Sequence, residues 1–350
     1  MNYLDECIKR FKTEKEYLGN NKPINHIHPI VSVTVATYQH NNYIEKCLDG
    51  ILMQIVDFPI EVIIGEDGSE DGTREICIKY AESYPDKIRL FLRDRNTSHM
   101  YDNDGHLVMR FNGIWNRMSS RGKYIAWCEG DDYWVDPYKL TKQVNFLEKN
   151  IDYGAAFTDA HHFNQKTGTF IFDYDKSFKR TIPTGNVIHK LKYGNPYKSC
   201  TCLFRSEFLE KIHYYTLNNN VRISDRIIWL IISKYSKIGY LFQTTSVYRI
   251  LEESASNSLN INHHVLFNKG GYKTSLRFSE LLNLHINKNK LRRIYIKRII
   301  NICIAKNNYN TILKFYNNPT LIILILIKEK IIRKIFQYYL RCARFLYSQF

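Results

Sequence analysis

Phosphate-cradling loops are absent from this chain of 350 residues, which contains no Gly-x-Gly-x-x-Gly and no Walker-type lysine loop. Glycine and proline are scarce, at 16 and 8 residues. The eight cysteines are scattered, and only Cys200 and Cys202 are close together. No CxxC pair exists and no histidine spacing completes a zinc site, so reduced cytosolic thiols are the expected state. Long apolar runs are missing too. The longest, at 321–327, is far short of the roughly 20 residues a spanning helix needs. Residues 1–15 carry acids and no continuous apolar stretch, so no secretory signal is expected there. No internal repeat is visible. With 44% hydrophobic and 24% charged residues, global disorder is excluded, and the length allows one large core or two smaller ones.

Acid is what the C-terminal part lacks. Residues 281–350 hold fourteen Lys and Arg against a single acid, Glu329, so that segment accounts for +13 of the formal +16. The rest of the chain is nearly balanced. In the last stretch Ile331, Ile332, Ile335, Phe336, Tyr339, Leu340, Ala343 and Leu346 share one helical face, and Lys330, Arg333, Lys334, Arg341 and Arg344 the other. A basic amphipathic helix of this kind predicts attachment to an anionic membrane surface, at about 1 kcal/mol per cation near the headgroups.

Before that tail, strand and helix patterns alternate. A helix over 3–18 and a polar linker to residue 29 precede the β-branched run IVSVTVAT at 30–37. A helix follows with Ile44, Leu48, Ile51, Leu52 and Ile55 at helical spacing, then IEVIIG at 60–65, a helix over 74–84, and a strand at 88–92. A polar loop over 93–106 leads to a helix over 108–119 and the strand that opens at Tyr124. Such βαβ alternation predicts a parallel sheet. The second half is less regular: a helix from Pro137 to about residue 149, strands near 154–163, 169–174, 199–205 and 238–250, and a helix headed by Asp225. The expected division is 1–29, an N-terminal helix and linker; 30–258, a catalytic domain; and 259–350, a basic helical region.

Two strands end in acids: Glu66-Asp67, and Glu129-Gly130-Asp131-Asp132. A third acid, Asp225, opens a helix. Clustered carboxylates repel one another and attract a hard cation such as Mg2+ or Mn2+, which prefers oxygen ligands. In an open α/β sheet the carboxyl ends of parallel strands are also where ligands bind. Carboxylates without a phosphate nest handle a diphosphate best through a bridging divalent metal.

Three stretches, VSVTVATY at 31–38, EVIIGEDGSEDGT at 61–73 and GKYIAWCEGDDYW at 122–134, resemble the successive signatures of glycosyltransferase family 2. The similarity continues through Asp136, Pro137, Lys139, Leu140, Lys142, Gln143, Phe146 and Leu147, more loosely to Tyr248-Arg249, and covers roughly 30–255. It implies a GT-A (Rossmann-like) α/β fold, with a mixed, mainly parallel sheet flanked by helices. It also implies an inverting enzyme that uses a nucleotide-diphosphate sugar, usually a UDP-sugar, with Mg2+ or Mn2+. Carried over position by position, Thr37 and Tyr38 border the nucleoside and Asp67 bonds the base. Glu129 and Asp131 match the outer acids of the DxD motif that binds metal and diphosphate, and Asp132 lies against the sugar. Asn112 touches the donor, Arg249 approaches the phosphates, and Asp225 is the catalytic base. Departures from the pattern are Glu129 in place of Asp, Ala36 in place of a common Pro, Ser224 and Arg226 around the base, and Leu251 where a His is often found.

The expected acceptor is a hydroxyl of a saccharide or lipid-linked saccharide, in cell-surface polysaccharide synthesis at the inner face of the cell membrane. One rival is a nucleic-acid-binding protein using the basic tail, but it leaves the acid clusters unexplained. Another is a nucleotidyltransferase, which would need a Gly-rich, Lys- or Arg-bearing loop after the first strand. Residues 37–42 offer none.

Overall fold

Val and Ile fill the first two strands because helices cover both faces of the sheet there, as parallel strands require. The structure is a computed structural model and describes residues 3–19, 28–219, 225–252 and 261–305. The chain forms two compact units, Met1–Leu251 and Glu252–Phe350.

In the first unit the strands are β1 (Val31–Thr37), β2 (Ile60–Glu66), β3 (Ile88–Leu92), β4 (His99–Tyr101), β5 (Leu107–Arg110), β6 (Tyr124–Trp127), β7 (Tyr133–Trp134), β8 (Tyr153–Asn164), β9 (Phe170–Ile171), β10 (Leu203–Arg205) and β11 (Lys237–Ile250). The helices are α1 (Tyr3–Phe11), α2 (Ile44–Leu52), α3 (Thr73–Ser83), α4 (Arg95–Ser98), α5 (Asn112–Met118), α6 (Lys139–Lys149), α7 (Tyr174–Ser177), α8 (Ile188–Leu191), α9 (Leu209–Leu217) and α10 (Asp225–Tyr235). A nine-stranded sheet runs β3-β2-β1-β6-β10-β8-β11-β7, with β9 paired to β8. The long ladders β1–β2, β1–β6, β2–β3 and β8–β11 are parallel, and the short ones that join β10, β7 and β9 are antiparallel. The expected mixed, mainly parallel sheet flanked by helices is what forms.

The register decides where chemistry can occur. Thr37 lies beside Glu66, and Thr34 beside Trp127, so β1, β2 and β6 all end at the same edge. Beneath that edge Gly65 is obligatory, because a Cβ there would fall 2.0 to 2.5 Å from side-chain atoms of Arg93, Asn112 and Asn116.

Four local expectations differ, the first being the strand expected near 169–174, which shortens to Phe170–Ile171 because Tyr174 opens α7. The segment 93–110 holds α4 and the β4–β5 hairpin rather than a plain loop, and the following helix begins at Asn112 instead of near Val108. Asp102 closes the hairpin by accepting the N–H groups of Asp104 and His106. The apolar run Leu107-Val108-Met109 is too short for periodicity to separate strand from helix. The first helix stops at Phe11, and the chain then turns so that the Tyr17 N–H donates to the Leu90 carbonyl, 2.7 Å away. Residues Ser199–Thr201 form a 3-10 turn, so that strand shortens to β10. The seven described cysteines are buried and free.

In the second unit α11 (Ile261–Leu281) and α12 (Lys288–Ala305) pack through Tyr272 and Ser275 against Tyr295. The apolar run at 321–327 and the basic amphipathic stretch at 330–346 lie outside the described residues. Among the described residues no helix is long and apolar enough to cross a membrane.

Candidate functional site: the acidic edge of the sheet

After β6 the chain must pass close under β1. The Gly130 N–H donates to the Ala36 carbonyl at 3.1 Å, and a Cβ on Gly130 would come within 2.7 Å of Thr37 Oγ1 and His40 Nδ1. That close approach fixes the acids on either side. Glu129 turns inward, where its Oε1 accepts the Trp127 indole N–H at 2.7 Å. Burial, then the charge of Asp131, pushes the Glu129 carboxyl up to about 7; the Trp127 N–H and Arg117 oppose this and Asp225 adds to it. Asp132 is 2% exposed, and its Oδ1 accepts the Arg249 backbone N–H at 2.8 Å. Burial and the neighbouring Asp131 push its carboxyl well above the usual range. Asp131 is half-buried, and among the described residues no hydrogen bond or ion pair reaches its carboxylate. It is the open member of the three.

Arg249 is 7% exposed and holds this loop from behind. Its Nε donates to the Asp131 carbonyl at 2.6 Å and its Nη1 to Gln165 at 2.9 Å, while the guanidinium lies 4.8 and 5.1 Å from the Tyr43 and Tyr133 rings. The side chain expected to approach phosphates is thus largely committed to the chain.

Asp225, at the head of α10, comes close enough to raise the Glu129 pKa. Its Oδ2 accepts the Asn195 amide at 2.8 Å and its Oδ1 the Arg226 N–H at 2.6 Å. Burial raises its own pKa, against the pull of the Arg226 N–H and the Lys198 charge. Lys198, not singled out in the sequence, feels both Asp225 and Asp132 and rests 4.4 Å over the Tyr248 ring. Burial lowers its pKa. The cluster therefore contains a cation among its acids. Nothing in the sequence around residue 198 marks it, because only the fold brings it there.

At the β1–β2 end Thr37 is buried, with Oγ1 3.2 Å from His40 Nδ1. Asp67 is buried as well. Its Oδ1 accepts the Ser98 hydroxyl at 2.5 Å, and its Oδ2 the His99 Nε2–H at 2.9 Å. Tyr38 is half-buried under the Arg95 guanidinium, 3.8 Å from its ring centre. The residue between Tyr38 and His40, Gln39, takes φ 55°, a left-handed conformation unusual for a side chain. His99 and Arg95 come from the segment 93–106, whose sequence predicts only a polar loop. Asn112 lies apart from this rim, between α5 and β2. Its amide donates to the Gly65 carbonyl at 3.0 Å, and its oxygen accepts from Arg93. Both of its polar ends are thus bonded within the chain.

The donor set at Glu129 and Asp131 suits a hard divalent cation in chemistry, since it consists of carboxylate oxygens with Asp131 open. Two protein carboxylates would leave the remaining positions around such a cation to oxygens from outside the chain, as Mg2+ commonly requires. A tighter grouping, Asp102, Asp104 and His106, has donor atoms within 4.8 Å of one another but is exposed on the β4–β5 turn. There Asp102 accepts backbone N–H groups, so turn chemistry accounts for it. Trp134, 2% exposed with its N–H on the Cys200 carbonyl, is packing.

Comparison with known proteins agrees with the motifs. Residues 32–101 match Glycosyl transferase family 2. An uncharacterized protein of Mycobacterium tuberculosis, Rv1520, is 38% identical over 127 residues, covering 36% of this chain and 34% of its own. The putative glycosyltransferase EpsE of Bacillus subtilis is 25% identical over 287 residues, 78% of this chain and 95% of that protein. The chain spans about a third of the length of the first curated relatives it matches. A mannosyltransferase from Pyrobaculum calidifontis, solved with GDP-Man and Mn2+, aligns with TM-score 0.49 at 17% identity, over 87% of this chain and 82% of that one.

Proposed function

We propose that this chain, which belongs to glycosyl transferase family 2, is an inverting glycosyltransferase. It moves a sugar from a nucleotide-diphosphate donor, a UDP-sugar in our reading, to a hydroxyl of a saccharide or lipid-linked saccharide. The observation that carries this is a division of labour among carboxyls at one sheet edge. Asp131 and Asp225 are both half-buried, but among the described residues no hydrogen bond or ion pair reaches the Asp131 carboxylate, while Asp225, reached from a different element, is held by Asn195 and the Arg226 N–H and has a raised pKa. A carboxylate free to meet a cation and a second one shifted toward proton exchange are the two parts that displacement at an anomeric carbon requires.

The donor diphosphate lies over the Glu129–Asp131 turn, with the nucleoside toward Thr37, Tyr38 and Asp67. A divalent cation, Mg2+ or Mn2+, held by Asp131 and assisted by Glu129, would neutralise the departing diphosphate. Arg249 positions the turn through the Asp131 carbonyl, and Asp132 is tied to the same residue's N–H. Asn112 acts at one remove, by fixing the Gly65 carbonyl under the site. Asp225 takes the proton from the acceptor hydroxyl, and Asn195 holds that carboxyl in place. Lys198 stands near the same acids and limits their mutual repulsion. The setting is cell-surface polysaccharide synthesis at the cytoplasmic face of the membrane, where the basic stretch at 330–346 meets anionic lipid.

A donor screen with Mn2+, following release of nucleotide from each nucleotide sugar, tests the activity. Asp131→Ala is expected to lower that release by about a thousandfold while thermal unfolding stays unchanged. Normal turnover by the variant would remove the assignment.

A further inference from the structure

Three phenylalanines of the first unit are conspicuously wet: Phe172 is 65% exposed, Phe178 58% and Phe242 79%. They belong to one feature. Residues 172–180 form a loop around α7 that is clipped to β11 where the strand's register shifts between Leu241 and Thr244. Thr244 Oγ1 donates to Asp173 at 2.7 Å and Tyr240 OH to Asp175 at 2.9 Å, so Phe242 protrudes between the two clips. Asp175 also pairs with Arg180 at 2.5 Å, and its backbone N–H donates to the Asp159 carboxylate. The loop's acids are thus turned toward the protein. Its lysines are not: Lys176 and Lys179 are exposed, and among the described residues no carboxylate pairs with them. Asp173 and Lys179 both take left-handed backbone conformations, φ 46° and 48°, that their side chains disfavour. Strain of this sort persists where the surroundings enforce it, and it clusters at binding elements.

We infer that residues 172–180, together with the Phe242 bulge, form a docking surface for a layer of anionic lipid headgroups. Aromatic rings placed in water beside unpaired lysines suit an interface that is apolar below and negatively charged above. The surface also borders the proposed site. Tyr174 of the loop stacks on His162, with centroids 3.6 Å apart, and His162 feels the charge of Lys198. Docking here would present the Lys198–Asp225 side of the sheet edge to acceptors anchored in the membrane. The inference deepens the membrane part of the proposed function and does not depend on the basic stretch at 330–346.

The test uses the full chain and a Phe178→Trp substitution, with wild type supplying the background of native tryptophans. On vesicles of phosphatidylglycerol and phosphatidylcholine, emission from the added indole is expected to shift blue and to be quenched when the acyl chains are brominated. Ile151→Trp, at an 81% exposed position before the opposite end of β8, is expected to show neither change. Replacing Phe172, Phe178 and Phe242 by Ser is expected to weaken vesicle binding about tenfold. If the chain sediments with anionic vesicles while the Phe178→Trp signal stays unchanged, or if it does not sediment at all, the surface is not a lipid-docking face. Retained vesicle binding after deletion of 321–350 would overturn the tail's role alone, and missing donor turnover would overturn the enzymatic reading alone.

Discussion

Gly130 shows how little room single residues have at this edge. A methyl group there would lie within 2.7 Å of both Thr37 Oγ1 and His40 Nδ1, so Gly130→Ala must push β1 and the acidic turn apart. Overpacking of this kind typically costs about 1–3 kcal/mol, and the displaced turn carries Asp131 with it. The expected outcome is a lower unfolding midpoint together with a loss of donor turnover larger than that stability loss explains. His162 offers a second residue-scale test. It is 6% exposed, and burial with the charges of Lys198 and Arg180 holds its pKa at about 3, below the ordinary 6.5. The unfolded imidazole takes a proton near 6.5 while the folded one does not. The stability that its neutral form supports is therefore complete above about 6.5 and is lost as pH falls toward 3. His162→Phe, which keeps a ring against Tyr174, is expected to flatten the fall of melting temperature between pH 6.5 and 4 relative to wild type.

At the scale of elements, Asp67 joins β2 to α4 and β4. The carboxylate expected to meet a nucleobase already takes hydrogen bonds from Ser98 and His99, so it also anchors the 93–110 segment over the β1–β2 edge. Asp67→Ala leaves those two buried groups without their acceptor, at about 1–3 kcal/mol. Nucleotide affinity, read by titration calorimetry, is expected to fall about tenfold, with Asp67→Asn in between. This pairing also marks the limit of what sequence patterns reveal. The β-branched runs that became β1 and β2 are legible because burial on both faces demands them. The acids at their ends are legible because apolar strands rarely finish that way. The β4–β5 hairpin is not, since its strands span only His99–Tyr101 and Leu107–Arg110 and are too short for a period to declare itself. Lys198 and Arg95 are invisible for a different reason. Their partners Asp225, Asp132 and Tyr38 lie far away in sequence, and only the finished sheet places cation beside acid or ring. The same holds for Asn112 and Arg249: motif position implied donor contact, while their hydrogen bonds show what each supports in the chain.

Over the whole molecule the charge is divided, with +13 of +16 in residues 281–350 and a nearly neutral remainder carrying the acidic edge. Such a division predicts two activities that respond differently to salt. Attraction between the tail and an anionic surface is screened over about 8 Å at physiological ionic strength and over less above it. Contacts at the sheet edge are buried and short, so they are screened much less. Raising NaCl from 50 to 500 mM is therefore expected to release the full chain from phosphatidylglycerol vesicles in a sedimentation assay. Turnover of a soluble donor should change by less than about threefold over the same range. Removing residues 321–350 should lower vesicle binding at low salt and leave donor turnover in place, because Asp131 and Asp225 belong to the other compact unit, Met1–Leu251. Tight, salt-sensitive binding of an oligonucleotide in preference to vesicles would instead mean that the tail serves nucleic acid. The tail's lipid assignment would then fail, while the chemistry at the acidic edge would stand on its own evidence.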